Sequence, residues 1–182
     1  TYTVRDHSGG DTDTATLTIT ITGTNNTAPV ANTDAGYILE DGRLEVTNGA
    51  TANDATPDAT GEHTGDVLLD DTDANSDTLT VSAISGGSVG SNANGTYGTL
   101  VIQSNGSYVY TADKTAADAL DADDVVTDQF IYTISDGNGG TATSTLTFTV
   151  KGIDDDPVGV ADTGAVDEDA QLQVNAGSGV LS

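Results

Sequence analysis

The chain contains no cysteine, methionine or tryptophan, and lysine and arginine together account for only 4 of its 182 residues. Without cysteine, the protein can form neither a disulfide framework nor a thiolate metal site. Its 29 acidic residues give a formal net charge of −25, which is the wrong sign for binding nucleic acid or an anionic membrane surface. No run of about 18 apolar residues occurs, so the sequence predicts no transmembrane segment.

The sequence also offers little support for catalysis. The two histidines, His7 and His63, share no pattern with serine and aspartate that would suggest a nucleophile and its base. Pairs of carboxylates are so abundant that no single pair is specific for a glycosidase. We therefore predict that the protein is not an enzyme.

The acidic residues have almost no basic residues with which to pair. Such clusters indicate either bound divalent cations or a strongly solvated acidic surface. Hydrophobic residues make up only 35% of the chain, and with this net charge such a composition would also suit disorder. The regular alternation described below argues against disorder, provided that something neutralises the acidic groups.

Two parts of the chain repeat the same pattern. Residues 2–10 read YTVRDHSGG, and residues 132–140 read YTISDGNGG. An alternating threonine-rich strand follows each of them and leads through a linker to Pro29 or Pro157, which lie 128 positions apart. We interpret the chain as a window on a tandem array. The predicted divisions are the last strands of a preceding repeat (1–26), one complete repeat (27–155) and the first strands of a following repeat (156–182).

Short alternating segments separated by glycine and asparagine turns predict an all-β fold. The clearest signal is Asn105-Gly106, which joins two alternating runs as a hairpin turn. Residues 125–134 and 141–150 predict the final hairpin. The expected seven to nine strands in one repeat favour an antiparallel β-sandwich of immunoglobulin or cadherin type.

The sequence also predicts several local features of this β-sandwich. Residues 115–120 are the only helix candidate, and residues 14–22 should form a strand with one buried face. The other expectations are an edge strand over 30–38, a strand over 78–85 with Leu79, Val81 and Ala83 on one face, and exposed loops at 49–63, ending at His63, and at 86–95.

One loop concentrates carboxylates strongly enough to suggest a metal site. Asp70, Asp71, Asp73 and Asp77 lie within eight residues, and Asp71 and Asp73 can point into one loop cavity. The EF-hand pattern fails, because Ser76 stands where a glycine is required. We predict a Ca²⁺ loop of another type, since Ca²⁺ takes about six to eight oxygen ligands from irregular loops.

A second metal site is predicted at the junction between repeats. The linker residues Asp154, Asp155 and Asp156 can meet acidic turns such as Glu40-Asp41 across a domain boundary. The alternative is a linker that is simply well solvated. The preceding junction carries Asn25-Asn26 instead and should bind more weakly. Asp136, in the hairpin turn 136–140, can lend an oxygen to a further site.

The chain resembles two known bacterial repeats. Residues 40–41, 67–73 and 79–81 resemble the bacterial cadherin-like repeat. The segments that closely resemble the VCBS repeat of giant bacterial surface proteins are GTYGTL (95–100), NGSYVY (105–110), ALDADDVVTDQF (119–130) and YTISDGNGG (132–140).

The resemblance implies a tandem β-sandwich of a large secreted RTX-type adhesin or similar fibre at the bacterial cell surface. The repeats would act as spacers in cell adhesion or biofilm, with Ca²⁺ rigidifying their junctions and neighbouring repeats as partners. The insert at 49–63 departs from the pattern. Two alternatives stay open: a glycan- or protein-binding module that uses this insert and the 86–95 loop, and a self-assembling fibre subunit that lends strands to other copies.

Overall fold

The computed structural model describes residues 1–20, 26–53, 61–155, 159, 161 and 163–173. Within these residues it contains eleven strands and no helix, which confirms the all-β prediction. The strands are β1 (Tyr2–Arg5), β2 (Thr12–Ala15), β3 (Asp34–Leu39), β4 (Arg43–Val46), β5 (Glu62–His63), β6 (Thr80–Ile84), β7 (Asn92–Asn94), β8 (Thr99–Ile102), β9 (Tyr108–Thr111), β10 (Val125–Ser135) and β11 (Thr141–Lys151).

Strands β3 to β11 form a two-layer sandwich. One sheet has the order β5–β3–β11–β10–β6, and the other has the order β4–β9–β8–β7. Because the side chains of each strand alternate between two faces, every second residue of the long strands enters the core. In β10 these residues are Phe130, Tyr132 and Ile134, and in β11 they are Leu146, Phe148 and Val150.

Aromatic residues join the two layers. The rings of Tyr110 (β9) and Phe148 (β11) stack with centroids 3.9 Å apart. Tyr108 meets Phe148 edge-on at 5.7 Å, and Phe130 meets Tyr110 at 6.2 Å. Such pairs add about 0.5–1.5 kcal/mol beyond the area that they bury. The few aromatic residues of this chain are thus concentrated where the two sheets meet.

The first strand of the repeat does not lie at an edge, contrary to our prediction for residues 30–38. Strand β3 lies between β11, with which it pairs in parallel from Leu146↔Asp34 to Lys151↔Leu39, and the short β5. The sandwich is otherwise antiparallel. Strand β5 is the far end of the 49–63 insert, so the expectation that this insert is an exposed loop is wrong at that end. Residues 54–60 of the insert lie outside the described residues.

Three smaller predictions also fail. In β6, Val81 and Ile84 are buried while Ala83 is exposed, because a bulge shifts the register opposite Thr133 and Ile134 of β10. The 86–95 loop contains β7. Residues 115–120 form turns rather than a helix, as expected of a segment too short to offset the cost of helix nucleation.

The hairpin β1–β2 stands apart from the sandwich. All of residues 1–20 are exposed, and the strand ends at Ala15, so the buried face predicted for residues 14–22 is not observed within the described residues. Its register nevertheless matches that of β10–β11, because Tyr2 pairs with Ala15 as Tyr132 pairs with Ser144.

The turn at Asp41 also recurs, at Asp169 near the other end of the chain. Asp41 and Asp169 both have positive φ angles, 59° and 64°. The hydrogen bond from Gly42 N to Leu39 O matches the one from Ala170 N to Asp167 O, each 3.1 Å long. Residues 163–173 contain no strand. The three predicted divisions of the chain therefore stay a prediction, although local geometry repeats at the predicted spacing.

Candidate metal centre

The loop formed by residues 70–77, here called the acidic loop, is folded around Asp73. The Oδ1 atom of Asp73 accepts hydrogen bonds from Asn75 N at 2.8 Å and Asp77 N at 3.0 Å. Its other oxygen, Oδ2, is buried without a hydrogen-bond partner. A buried carboxylate oxygen with no donor is costly unless a proton or a cation reaches it.

Asp136 is brought to the acidic loop by the fold. One oxygen from each of Asp73, Asp77 and Asp136 lies within 4.8 Å of the others. Asp136 begins the β10–β11 turn, where its Oδ1 accepts from Asn138 N at 2.8 Å and Gly140 N at 2.9 Å. Gly140 is needed here, since a Cβ at this position would stand 2.1 Å from Asp136 Oδ2.

The electrostatics of this cluster favour a bound cation. Burial by itself raises the pKa of Asp136, but hydrogen bonds from Asn138, Asn26 and Gly140 outweigh this effect and hold its pKa below the ordinary value. Asp136 therefore stays ionised beside two further carboxyl groups. No basic side chain of the described residues pairs with any of the three, so their mutual repulsion is uncompensated by the protein itself.

The segment that leads into the sandwich, residues 26–32, lies along the acidic loop and is here called the upstream segment. Asn26 Nδ2 donates to Asp136 Oδ2 at 2.9 Å, and Thr27 N donates to Asn75 Oδ1 at 2.9 Å. Further along, Val30 and Thr72 exchange two backbone hydrogen bonds of 2.7 and 3.1 Å. The direction of the incoming chain is thus set by the same loop that carries the carboxylates.

The other predicted members of the loop site take different positions. Asp71 Oδ1 accepts from Asn32 N at 2.8 Å, while its Oδ2 is buried and unpartnered. Burial raises the pKa of Asp71 to about 6. Its side chain lines an open cavity of about 590 Å³ with Asp66, Asp73 and Asp77. Asp70 is exposed, and its carbonyl oxygen accepts a hydrogen bond from the Asn32 side chain of the upstream segment.

A second acidic group lies where the chain leaves the sandwich. Glu40 is only 2% exposed; its Oε1 accepts from Ile153 N at 2.5 Å, and its Oε2 is buried without a partner. Burial raises the pKa of Glu40, and the nearby charges of Asp155, Asp41 and Asp118 add to the rise. Asp41 and Asp154 are exposed, and Asp156 lies outside the described residues.

The two acidic groups lie at opposite ends of the sandwich. Strand β11 begins at Thr141, next to the Asp136 turn, and β3 joins it in parallel from Leu146 onward, so that both strands end, at Leu39 and Lys151, beside Glu40. The backbone bond from Glu40 N to Lys151 O, 2.9 Å long, closes that downstream end. Each place where the chain enters or leaves the repeat therefore carries carboxylates.

Our sequence analysis missed three deeply buried aspartates: Asp34, Asp66 and Asp128. The signal for two of them was present. Asp128 has the same parity as Phe130 and Tyr132, and Asp34 has the same parity as Ile38, so the period of two places both on the inner face. Asp66 lies in a turn and had no such signal.

A two-layer sandwich whose first and last strands pair, with acidic turns at both ends, is the architecture of an immunoglobulin- or cadherin-like module. The profile of the bacterial cadherin-like domain matches residues 26–152, which include all of β3 to β11. The chain therefore belongs to this family, which confirms the predicted resemblance to the bacterial cadherin-like repeat. The family consists of structural, non-enzymatic modules, and membership is consistent with an extracellular repeat.

A search of curated proteins gives no match to the chain. Within the described residues, no helix is long and apolar enough to cross a membrane.

Proposed function

We propose that the chain is part of a structural extender in a secreted bacterial surface adhesin or fibre, and that Ca²⁺ stiffens it. The observation that carries this proposal is the cluster of Asp73, Asp77 and Asp136, in which the acidic loop meets the β10–β11 turn. The cluster bridges two segments that are far apart in sequence, and the upstream segment rests on both.

The ligand set suits Ca²⁺ better than other common metals. All three side chains offer hard carboxylate oxygens, and no histidine or cysteine belongs to the cluster. Ca²⁺ accepts about six to eight oxygens in flexible geometry, so backbone carbonyls and water can complete the shell. Zn²⁺ and other borderline metals would favour nitrogen or sulfur ligands.

Cation binding would stiffen the array through the upstream segment. A cation at the cluster removes the repulsion between Asp73, Asp77 and Asp136 and fixes the acidic loop. The loop in turn holds residues 26–32 by the hydrogen bonds described above. At the downstream end, Glu40 accepts a hydrogen bond from Ile153 N. We propose that Asp154, Asp155 and Asp156 complete a junction site there with the neighbouring repeat.

The expected contribution of Ca²⁺ binding is a large part of the free energy of unfolding of a small domain. Extracellular Ca²⁺ modules have dissociation constants of about 10⁻⁴–10⁻³ M. At about 10 mM Ca²⁺, one such site adds roughly 1.4–2.7 kcal/mol to the free energy of unfolding. The total for a small domain is only about 5–15 kcal/mol, so two sites would make the stability of the repeat strongly dependent on Ca²⁺.

Thermal unfolding of the full chain with Ca²⁺ and with chelator tests the site. The double variant Asp73→Asn/Asp77→Asn should lose most of the Ca²⁺-dependent rise in melting temperature. The matched control is Asp11→Asn/Asp13→Asn, which removes the same charge from the exposed β1–β2 region and should keep that rise. An equal Ca²⁺-dependent rise in both double variants would rule out the cluster as a Ca²⁺ site.

Small-angle X-ray scattering on two or three joined repeats tests the extender role. We expect a rod in Ca²⁺ and a flexible chain in chelator. An unchanged profile would mean that the carboxylates form a solvated surface and do not lock the junctions.

One observation favours a second candidate function, a fibre subunit that lends strands to another copy. Leu17 and Ile19 are 67% and 72% exposed and occupy the positions that Leu146 and Phe148 occupy in the sandwich core. The mass of the native polypeptide separates the two candidates: about 18.3 kDa supports a strand-lending subunit, and a much larger mass supports the extender. No such observation favours the glycan-binding alternative, since the described end of the insert packs as β5.

A further inference from the structure

A buried carboxyl group at the start of β3 lies among an excess of hydrogen-bond acceptors. Asp34 is 5% exposed, and the hydroxyl group of Tyr132 lies 2.6 Å from its Oδ2. The same hydroxyl oxygen is 3.0 Å from Asn32 O, which also accepts from Ser144 Oγ, and 3.3 Å from Val67 O. A tyrosine hydroxyl has one proton to donate, so it cannot satisfy both Asp34 Oδ2 and Val67 O by itself.

The surroundings of Asp34 supply no positive charge. Among the described residues, no lysine, arginine or histidine side chain hydrogen-bonds to it or pairs with it. Its other side-chain contact is Thr64 Oγ1, 3.5 Å from Oδ1. The titratable groups on the elements packed around it are Tyr132 on β10, Tyr108 on β9, Asp66, Asp70 and Asp71 before and in the acidic loop, and Glu62 and His63 on β5. Burial lowers the pKa of His63, which disfavours its charged form.

A second buried aspartate in the same sandwich shows the opposite arrangement. Asp128 is 3% exposed and also accepts from a tyrosine hydroxyl, that of Tyr110 at 2.8 Å. It accepts three backbone N–H groups as well, from Thr96 at 2.7 Å and from Tyr97 and Gly98 at 2.9 Å. Four donors thus surround the Asp128 side chain, whereas, among the described residues, the only donors to Asp34 are two hydroxyl groups.

We propose that Asp34 holds a proton in the folded protein, and that this proton is the missing donor of the Tyr132 cluster. This cluster connects four parts of the chain: β3 (Asp34), the upstream segment (Asn32), the turn before the acidic loop (Val67) and β10 (Tyr132). The proton therefore stabilises the upstream end of the repeat, and its loss at alkaline pH places an uncompensated charge there.

The electrostatic environment agrees with this geometry. Burial raises the pKa of Asp34 to about 7; the hydrogen bond from Tyr132 opposes this rise, and the charges of Asp70 and Asp71 reinforce it. The folded-state pKa thus lies above the unfolded value of about 4. A group with a raised pKa stabilises the fold fully below its unfolded pKa and loses this contribution as the pH rises through its folded pKa. We therefore expect stability to fall as the pH rises from about 4 to about 7, and to level off above about pH 8.

The direct test is a carboxyl-carbon NMR titration of the full chain in chelator, with the Asp34 signal assigned by through-bond correlation to its own backbone. A midpoint near 7 supports the proposal. A midpoint near the ordinary value of about 4 overturns it. This measurement is made on the wild-type protein, so it does not depend on whether any variant folds.

Unfolding of variants gives a second test. Asp34→Asn keeps a donor but no charge, so it should raise the melting temperature at about pH 8.5 by about 4 °C or more and flatten the pH dependence. The matched control Asp128→Asn places an amide group opposite N–H donors. It should lower the melting temperature about equally at about pH 5.5 and about pH 8.5. If Asp34→Asn is as harmful as Asp128→Asn at alkaline pH, Asp34 is ionised there without cost and the proposal is wrong.

Discussion

The β1–β2 and β10–β11 hairpins have nearly the same sequence pattern and the same register, yet β10–β11 has a buried face and β1–β2 does not. Tyr2 is 53% exposed whereas its counterpart Tyr132 is 0% exposed. Only β10–β11 faces a second sheet, with Tyr108 and Tyr110 of β9 packed against its inner face. Alternation in a sequence therefore marks the face that can be buried, while burial itself depends on a partner layer.

The turns of the two hairpins differ in the same manner. Asp6 accepts from Ser8 Oγ and Gly9 N in a fully exposed turn, where the hydrogen bond from Ser8 is the main cause of its lowered pKa. Asp136 has similar local hydrogen bonds but also meets Asp73 and Asp77. The same residue serves as a turn former in one hairpin and as a candidate metal ligand in the other.

The largest expected difference concerns the inner faces of the two hairpins. Phe148→Ala should lower the free energy of unfolding by about 3–5 kcal/mol, because it empties a site enclosed by Tyr108, Tyr110 and Phe130. The equivalent change Ile19→Ala should cost less than about 0.5 kcal/mol. Urea unfolding of both variants checks this contrast. A large loss for Ile19→Ala would show that the β1–β2 region is packed against a partner in solution.

The next difference concerns the two turn aspartates. In about 10 mM Ca²⁺, Asp136→Ala should lose roughly 1.4–2.7 kcal/mol of cation-linked stability, whereas Asp6→Ala should lose none of it. Calcium titration followed by calorimetry measures this directly. Equal Ca²⁺ affinity in the two variants would contradict a role for Asp136 as a ligand.

The smallest expected difference concerns the two tyrosine hydroxyl groups. Tyr132→Phe removes the hydrogen bond to Asp34 and should cost about 0.5–1.5 kcal/mol at about pH 5.5. Tyr2→Phe, on the exposed hairpin, should have no measurable effect on unfolding. If Tyr132→Phe and Tyr2→Phe had the same stability, the hydrogen bond from Tyr132 to Asp34 would contribute nothing and the proposed cluster would be contradicted.

The sequence allowed prediction of those elements that are specified locally. Long alternation predicted β10 and β11, and Asn105-Gly106 predicted the β8–β9 hairpin, where Gly106 has a φ of 90°. Strand β7, with three residues, and β5, with two, are too short to carry a periodic signal. The parallel pairing of β3 with β11 joins the two ends of the repeat, and no local pattern specifies such a contact.

The candidate site shows the same limit. The local density of carboxylates predicted Asp73 and Asp77 as metal ligands. The turn pattern predicted Asp136 only as a residue that could lend an oxygen to a further site. Their convergence depends on the position of the β10–β11 turn in the folded sheet. Asp34 and Asp128 are both inner-face aspartates by parity, but only their three-dimensional neighbours show that Asp128 accepts from three N–H groups and Asp34, within the described residues, from none.

The parallel ladder between β3 and β11 has a mechanical consequence. The chain enters the repeat at the start of β3 and leaves it at the end of β11, and these points lie at opposite ends of six paired positions. A force that pulls on the chain from both sides therefore acts along these two strands and shears their hydrogen bonds together, instead of opening them one after another. We expect a repeat tethered between a cell and a surface to withstand tension in this direction far better than a hairpin such as β1–β2, which would unzip from its open end.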